Sequence, residues 1–179
     1  VTEKPGRLRL VENGVLRAAP VAGVPGVLFS GQGGLLDVVL HPDFADNQLV
    51  YLTWSEGRSR DNTLKLGRGR LEGMALVGFE EIFAAEPRRD TDVHYGARLA
   101  FLPDNTLLLG IGDGFDYREE AQRAQTHYGS YVHLNADGSV IASPFADAAP
   151  GVYTIGHRNP QAIAVDPVTG IVYSNEHGP

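Results

Sequence analysis

From end to end the chain sets short apolar runs against clusters of turn residues, and it never sustains a helical period. The stretch "LLDVVLHPDFADNQLVYLTW" places alternating apolar residues before Pro42 and Asp43 and a second apolar run, ending at Trp54, after them. "ARLAFLPDNTLLLGIGDG" repeats the plan around Pro103 and Asp104, and "QAIAVDPVTGIVYSNEHG" repeats it around Pro167. Period-two alternation predicts strands, and Pro with Asp, Asn or Gly predicts the turn between them, so each unit reads as a β-hairpin. The three prolines recur at about 60 residues, within reach of the periods of propellers. "NTLKLGRGRL" and "SYVHLNADGSV" predict further strands between the hairpins, the second with an Asp137-Gly138 turn. Four short strands per period make a propeller blade. The one helix candidate, "YREEAQRAQTHYG", predicts a turn or two within a loop, stopped at Gly129. The fold class is therefore all-β, a β-propeller; a sandwich would place strands every 8 to 12 residues or so without the longer period.

Composition narrows the partners. With 179 residues the chain is long enough for one domain and a sizeable core. Its formal charge of -7 and singly scattered Lys and Arg residues, with no basic run, argue against nucleic acid. No apolar stretch approaches the roughly 20 residues of a membrane span. Zero cysteines exclude disulfides, thiolate zinc sites and a cysteine nucleophile. Val1-Thr2-Glu3 resembles the end of a hairpin at Tyr173-Ser174-Asn175-Glu176, and Pro179 directly follows a hairpin. Residues 1–179 are thus expected to form one partial propeller domain of about three blades, truncated at both ends, since a closed ring takes typically 4 to 8.

Six ordered motifs carry a family likeness: "GQGGLLDVVLHPDF", "HYGARLAFLPD", "GIGDGFDYREEAQ", "LNADGSV", "YTIGHRNPQAIAVDP" and "NEHGP". Together they resemble the soluble quinoprotein sugar dehydrogenases, which depend on pyrroloquinoline quinone (PQQ) and calcium and fold as six-bladed propellers. The resemblance implies oxidation of an aldose at its anomeric hydroxyl to the lactone, with an external electron acceptor, in a periplasmic or extracellular setting. It implies as well that basic residues from the other half of the propeller complete the cofactor site, so the segment alone is expected to be inactive. Substrate identity and oligomeric state stay open.

That chemistry needs a base for the hydroxyl proton, a Lewis acid and a cation near the developing charge. By resemblance His94 matches the catalytic histidine, Arg158 and Asn159 fall in the cofactor-binding region, Gln32 matches a sugar-contacting glutamine, and Gly178 and Pro179 match positions whose carbonyls bind calcium. Each has a plainer reading: a strand-edge histidine, a surface arginine, turn residues and a loop polar residue. "GIGDG" lacks the Lys-Ser/Thr ending of a phosphate loop, and Asp113 and Asp116 in it read as turn formers. His41, His127 and His133 share no metal-ligand spacing. "HYGSYVHLNADG" and Val93 depart from the family pattern, with Ser130 and His133 where basic residues are expected, which bears on substrate choice. The alternatives are a non-catalytic propeller that binds protein or sugar, and a calcium-dependent lactonase.

Overall fold

The structure, a computed structural model, describes residues 1–178. Strands β1 (Thr2–Glu3), β2 (Arg7–Leu8), β3 (Val11–Glu12) and β4 (Val15–Leu16) form two short hairpins at the start. Strands β5 (Leu35–Leu40), β6 (Leu49–Arg58), β7 (Asp61–Glu72) and β8 (Ala75–Ala84) then form one four-stranded antiparallel blade in sequence order. A second blade follows from β9 (Gly96–Phe101), β10 (Leu107–Ile111), β11 (Ser130–Leu134) and β12 (Val152–Ile155). The hairpin of β13 (Pro160–Val165) and β14 (Val172–Glu176) comes last. The three Pro-anchored units of the sequence are β5–β6, β9–β10 and β13–β14, the innermost pair of each blade, with β9 lying between β5 and β13. The all-β propeller read from the repeat is the architecture observed.

Two local expectations sharpen. The stretch around Glu119 forms a single 3-10 turn, Glu120–Gln122, and a four-residue helix, Phe44–Asn47, completes the first Pro turn. The second strands of the two four-stranded blades do not present a wet face: β10 is buried at every position and β6 from Val50 to Ser55. A blade has neighbours on both faces, so alternation sorts residues between two cores instead of between core and water. Val50, Leu52 and Trp54 of β6 join Leu8, Val21 and Leu35 on one side. Tyr51 on the opposite face joins Leu64, Leu99, Leu109 and Val132 between the two blades.

Polar residues on those buried faces are satisfied across blades. Thr53 Oγ1 donates to the Ala97 carbonyl (2.9 Å), and Asp37 Oδ2 accepts the Leu99 N–H (3.0 Å). These bonds fix the angle at which β5 meets β9, and so the spacing of the loops at their shared end.

Candidate active site

An antiparallel hairpin returns the chain to where it began, so the residues before its first strand and after its second strand are neighbours. The same end of all three inner hairpins faces one cavity of about 560 Å³, lined by Gln32, His94, Arg98, Arg158, Asn159 and His177 together with Lys4, Thr2 and flanking apolar residues. Gln32 precedes β5, His94 precedes β9, and Arg158 and Asn159 precede β13: three equivalent positions in three successive units.

His94 is 7% exposed and sits in the left-handed region, at φ 50°. Non-glycine residues rarely adopt that conformation, and it is held here from both sides. The His94 N–H donates to Gln32 Oε1 (2.9 Å), while its carbonyl accepts from Arg89 Nη1 (3.1 Å) and the Gly114 N–H (3.4 Å). Gly112 makes room for that carbonyl, since a Cβ there would stand 2.0 Å from the oxygen. The imidazole Nδ1 lies 2.8 Å from Asp113 Oδ1. A carboxylate only accepts, so Nδ1 carries a proton, and in the neutral imidazole Nε2 has the free lone pair. Asp113, 3% exposed, is itself fixed: the same oxygen accepts the Phe115 N–H (2.8 Å), and its own N–H donates to the Arg158 carbonyl (2.8 Å). Phe115 closes the edge of the imidazole in a T-shaped contact, with ring centroids 5.2 Å apart.

Sequence reasoning assigned Asp113 to turn formation. It does cap the loop, but it is also the partner of His94. The signal available was its place directly after the second strand of the hairpin that His94 opens.

The third unit brings its two ends together in the same way. Arg158 Nη1 donates to the carbonyls of His177 (3.0 Å) and Gly178 (3.4 Å), and Glu176 Oε2 accepts the backbone N–H groups of Arg158 (2.5 Å) and Asn159 (3.3 Å). Asn159, 4% exposed, uses Oδ1 to accept the Gly96 N–H (3.1 Å), tying the third inner strand to the second. Gln32 and Asn159 therefore both have a structural task that the sequence did not show. Pro179 lies outside the described residues.

Although the whole chain is acidic, the cavity wall carries Lys4, Arg98 and Arg158. Arg98 pairs loosely with Asp37 (3.7 Å), and its Nε is buried without a hydrogen-bond partner. A ligand with several carboxylates suits such a wall. Among the described residues there is no group of three or more His, Cys, Asp or Glu able to hold a metal, so a carboxylate cage is not among them. Gly178 offers a carbonyl oxygen, the donor type that calcium takes, but one carbonyl is far from the 6 to 8 or so oxygens of a calcium shell.

Comparison with known proteins matches the whole chain to sugar dehydrogenases. The family model described as Glucose / Sorbosone dehydrogenase matches residues 1–179. Aldose sugar dehydrogenase YliI of Escherichia coli (strain K12) is 36% identical over 186 residues, covering 100% of this chain and 50% of the relative. A solved glucose dehydrogenase superposes with a TM-score of 0.93 at 39% identity, covering 99% of this chain and 53% of the other. The PQQ-bound form of aldose sugar dehydrogenase from Streptomyces coelicolor superposes with a TM-score of 0.79 at 29% identity, covering 98% and 51%. The chain spans about half the length of the curated relatives it matches. With its entire length matched by the family model and its fold shared with these dehydrogenases, the chain belongs to the Glucose / Sorbosone dehydrogenase family.

Proposed function

We propose that the protein carrying this chain oxidises an aldose at its anomeric hydroxyl to the lactone, with PQQ and calcium as cofactors and an external electron acceptor. The observation that carries this reading is the buried His94–Asp113 pair at the mouth of a cavity walled by cations. Asp113 keeps the proton of His94 on Nδ1, so Nε2 accepts the hydroxyl proton as the C1–O bond becomes a carbonyl and C1 loses hydride. PQQ when bound supplies the two-electron acceptor for that hydride, and calcium supplies a Lewis acid.

Lys4, Arg98 and Arg158 are the residues of this chain suited to the quinone's carboxylates and carbonyls, and Arg158 is held in place through His177 and Gly178. Asn159 positions the strand beside it. Gln32 braces the base and lines the cavity, and in this reading its side-chain NH2 is the group that meets a sugar hydroxyl. By the family resemblance the Gly178 carbonyl, which here accepts from Arg158, and that of Pro179, which lies outside the described residues, would supply oxygens to calcium, with the rest of its shell coming from elsewhere in the complete polypeptide. The reading includes a periplasmic or extracellular setting, as the family resemblance implies. Among the described residues no helix is long and apolar enough to cross a membrane.

The test uses the complete polypeptide containing this chain, purified without cofactor and assayed for aldose-dependent dye reduction. Turnover is expected to require added PQQ and calcium, and to fall roughly 1,000-fold in His94→Ala, the scale of a lost general base. Turnover that needs no PQQ, or that survives in His94→Ala, would overturn the reading. Failure of PQQ to bind, with no aldose oxidised, would leave a binding propeller as the better account.

A further inference from the structure

Behind His94, away from the cavity, a second cation is completely buried. Arg89 is 2% exposed and has no carboxylate within salt-bridge distance among the described residues. Arginine is almost never buried without a paired acid, because desolvating the charge is costly. Here its guanidinium carbon lies 4.9 Å from the ring centroid of Tyr95 and 5.4 Å from that of Tyr128. The negative ring faces replace part of the lost hydration.

The cage is rigid. The Arg89 backbone pairs in both directions with Asn62 (2.8 and 2.9 Å), the Tyr95 hydroxyl donates to Asn62 Oδ1 (2.6 Å), and the Tyr128 hydroxyl donates to the Arg88 carbonyl (3.0 Å). From this cage Nη1 reaches the His94 carbonyl at 3.1 Å. A Cβ on Gly114 would meet Thr91 Oγ1 at 3.1 Å, Tyr117 Cδ2 at 3.2 Å and the same nitrogen at 3.4 Å, so the guanidinium lies beside the Asp113-Gly114 turn, whose Gly114 N–H shares the His94 carbonyl with it. Burial pushes Arg89 below its usual value, and attraction from the Asp113 carboxylate opposes that shift.

We propose that Arg89 is a positioning residue for the proton acceptor: clamped against Tyr95 and Tyr128, its guanidinium holds the His94 carbonyl and the Asp113-Gly114 turn together, and thereby the left-handed backbone that lays the imidazole against Asp113. A merely space-filling role calls for an apolar side chain, which would fill the cage without the desolvation cost. What a methionine lacks is the donor to the His94 carbonyl and the charge beside the turn. The inference rests on His94 acting as the base, yet it has a readout independent of that chemistry.

The experiment compares wild type, Arg89→Met and Arg89→Lys in the complete polypeptide, with folding followed by thermal melting. Proton NMR reads the downfield His94 Nδ1–H resonance of the bond to Asp113, assigned by its loss in His94→Gln. The resonance is expected in wild type and lost in Arg89→Met. With aldose as substrate, Arg89→Met is expected to lower kcat on the order of 100-fold, the effect of a misplaced catalytic group, with KM changed less than about threefold. Arg89→Lys keeps the charge but not the flat fork, so it is expected to retain the resonance and lose about tenfold in kcat. A folded Arg89→Met that keeps both the resonance and kcat would overturn the proposal. Should Arg89→Met not fold, wild-type kcat in Arg89→Lys would overturn it. Absence of aldose turnover in wild type would defeat the functional reading instead, and the resonance would still decide the role of Arg89.

Discussion

Asp113 shows how one side chain takes on two tasks when a turn lies beside a site. Its carboxylate caps the loop through the Phe115 N–H and holds the His94 Nδ1–H with the same oxygen. Because one oxygen makes both bonds, Asp113→Asn keeps the loop cap only with its amide oxygen in that place, where it still accepts from Nδ1 but no longer brings the charge that stabilises the imidazolium as the proton is taken. Loss of kcat on the order of 1,000-fold is expected, with thermal stability nearly unchanged; steady-state kinetics and a melting curve of the complete polypeptide check both. Equal falls in kcat and in stability would mean that the carboxylate serves the loop alone.

At the level of elements, the blades are joined by polar staples as well as by apolar packing. His127, 2% exposed, accepts the Glu86 N–H at Nδ1 (2.8 Å) and lies 3.0 Å from the Pro150 carbonyl at Nε2, which therefore carries the proton. It joins the segment after β8 to the segment before β12, with Phe83 packed against its ring in a T-shaped contact. Burial lowers its pKa from the usual 6.5. The unfolded chain takes up a proton as pH falls through 6.5, whereas the folded chain resists it until lower pH. Stability from this residue is thus complete above pH 6.5 and is lost as pH falls below it, by at most about 1.4 kcal/mol per pH unit. His133, also lowered by burial, acts in the same direction. The fall in Tm from pH 7.5 to 5.5 is expected to be smaller in His127→Gln than in wild type; an equal fall would place the sensitivity elsewhere.

For the whole molecule, equivalent strands differ in one respect. Strands β6 and β10 are buried along their centres, while β14, in the same place in its unit, is exposed throughout, with Tyr173 at 58%. In the complete polypeptide a further blade is expected to cover β14 as β9 to β12 cover β6. Backbone amides of β14 should then exchange slowly there and fast in the isolated 179-residue chain, as read by hydrogen exchange with mass spectrometry. The isolated chain, which spans about half its relatives, is expected to show negligible aldose turnover even with PQQ and calcium. Robust turnover would mean that the residues present suffice for cofactor binding.

Strand, turn and period are local properties, and the sequence by itself determined them: three hairpins around Pro42, Pro103 and Pro167, spaced for blades, and thereby the propeller class. His94, Arg158 and Gln32 were singled out by family likeness, and each stands just before the first strand of such a hairpin. Only the tertiary structure decided which residues meet across the repeats. The bond from His94 to Gln32 spans 62 positions, and that from Gly96 to Asn159 spans 63. The cage around Arg89 takes Tyr95 and Tyr128 from two His-Tyr-Gly tripeptides, whose meeting over one guanidinium is a tertiary contact. Such contacts are set by the angle at which blades pack, which depends on side chains filling two cores at once, and no local pattern of apolar and polar residues encodes that angle.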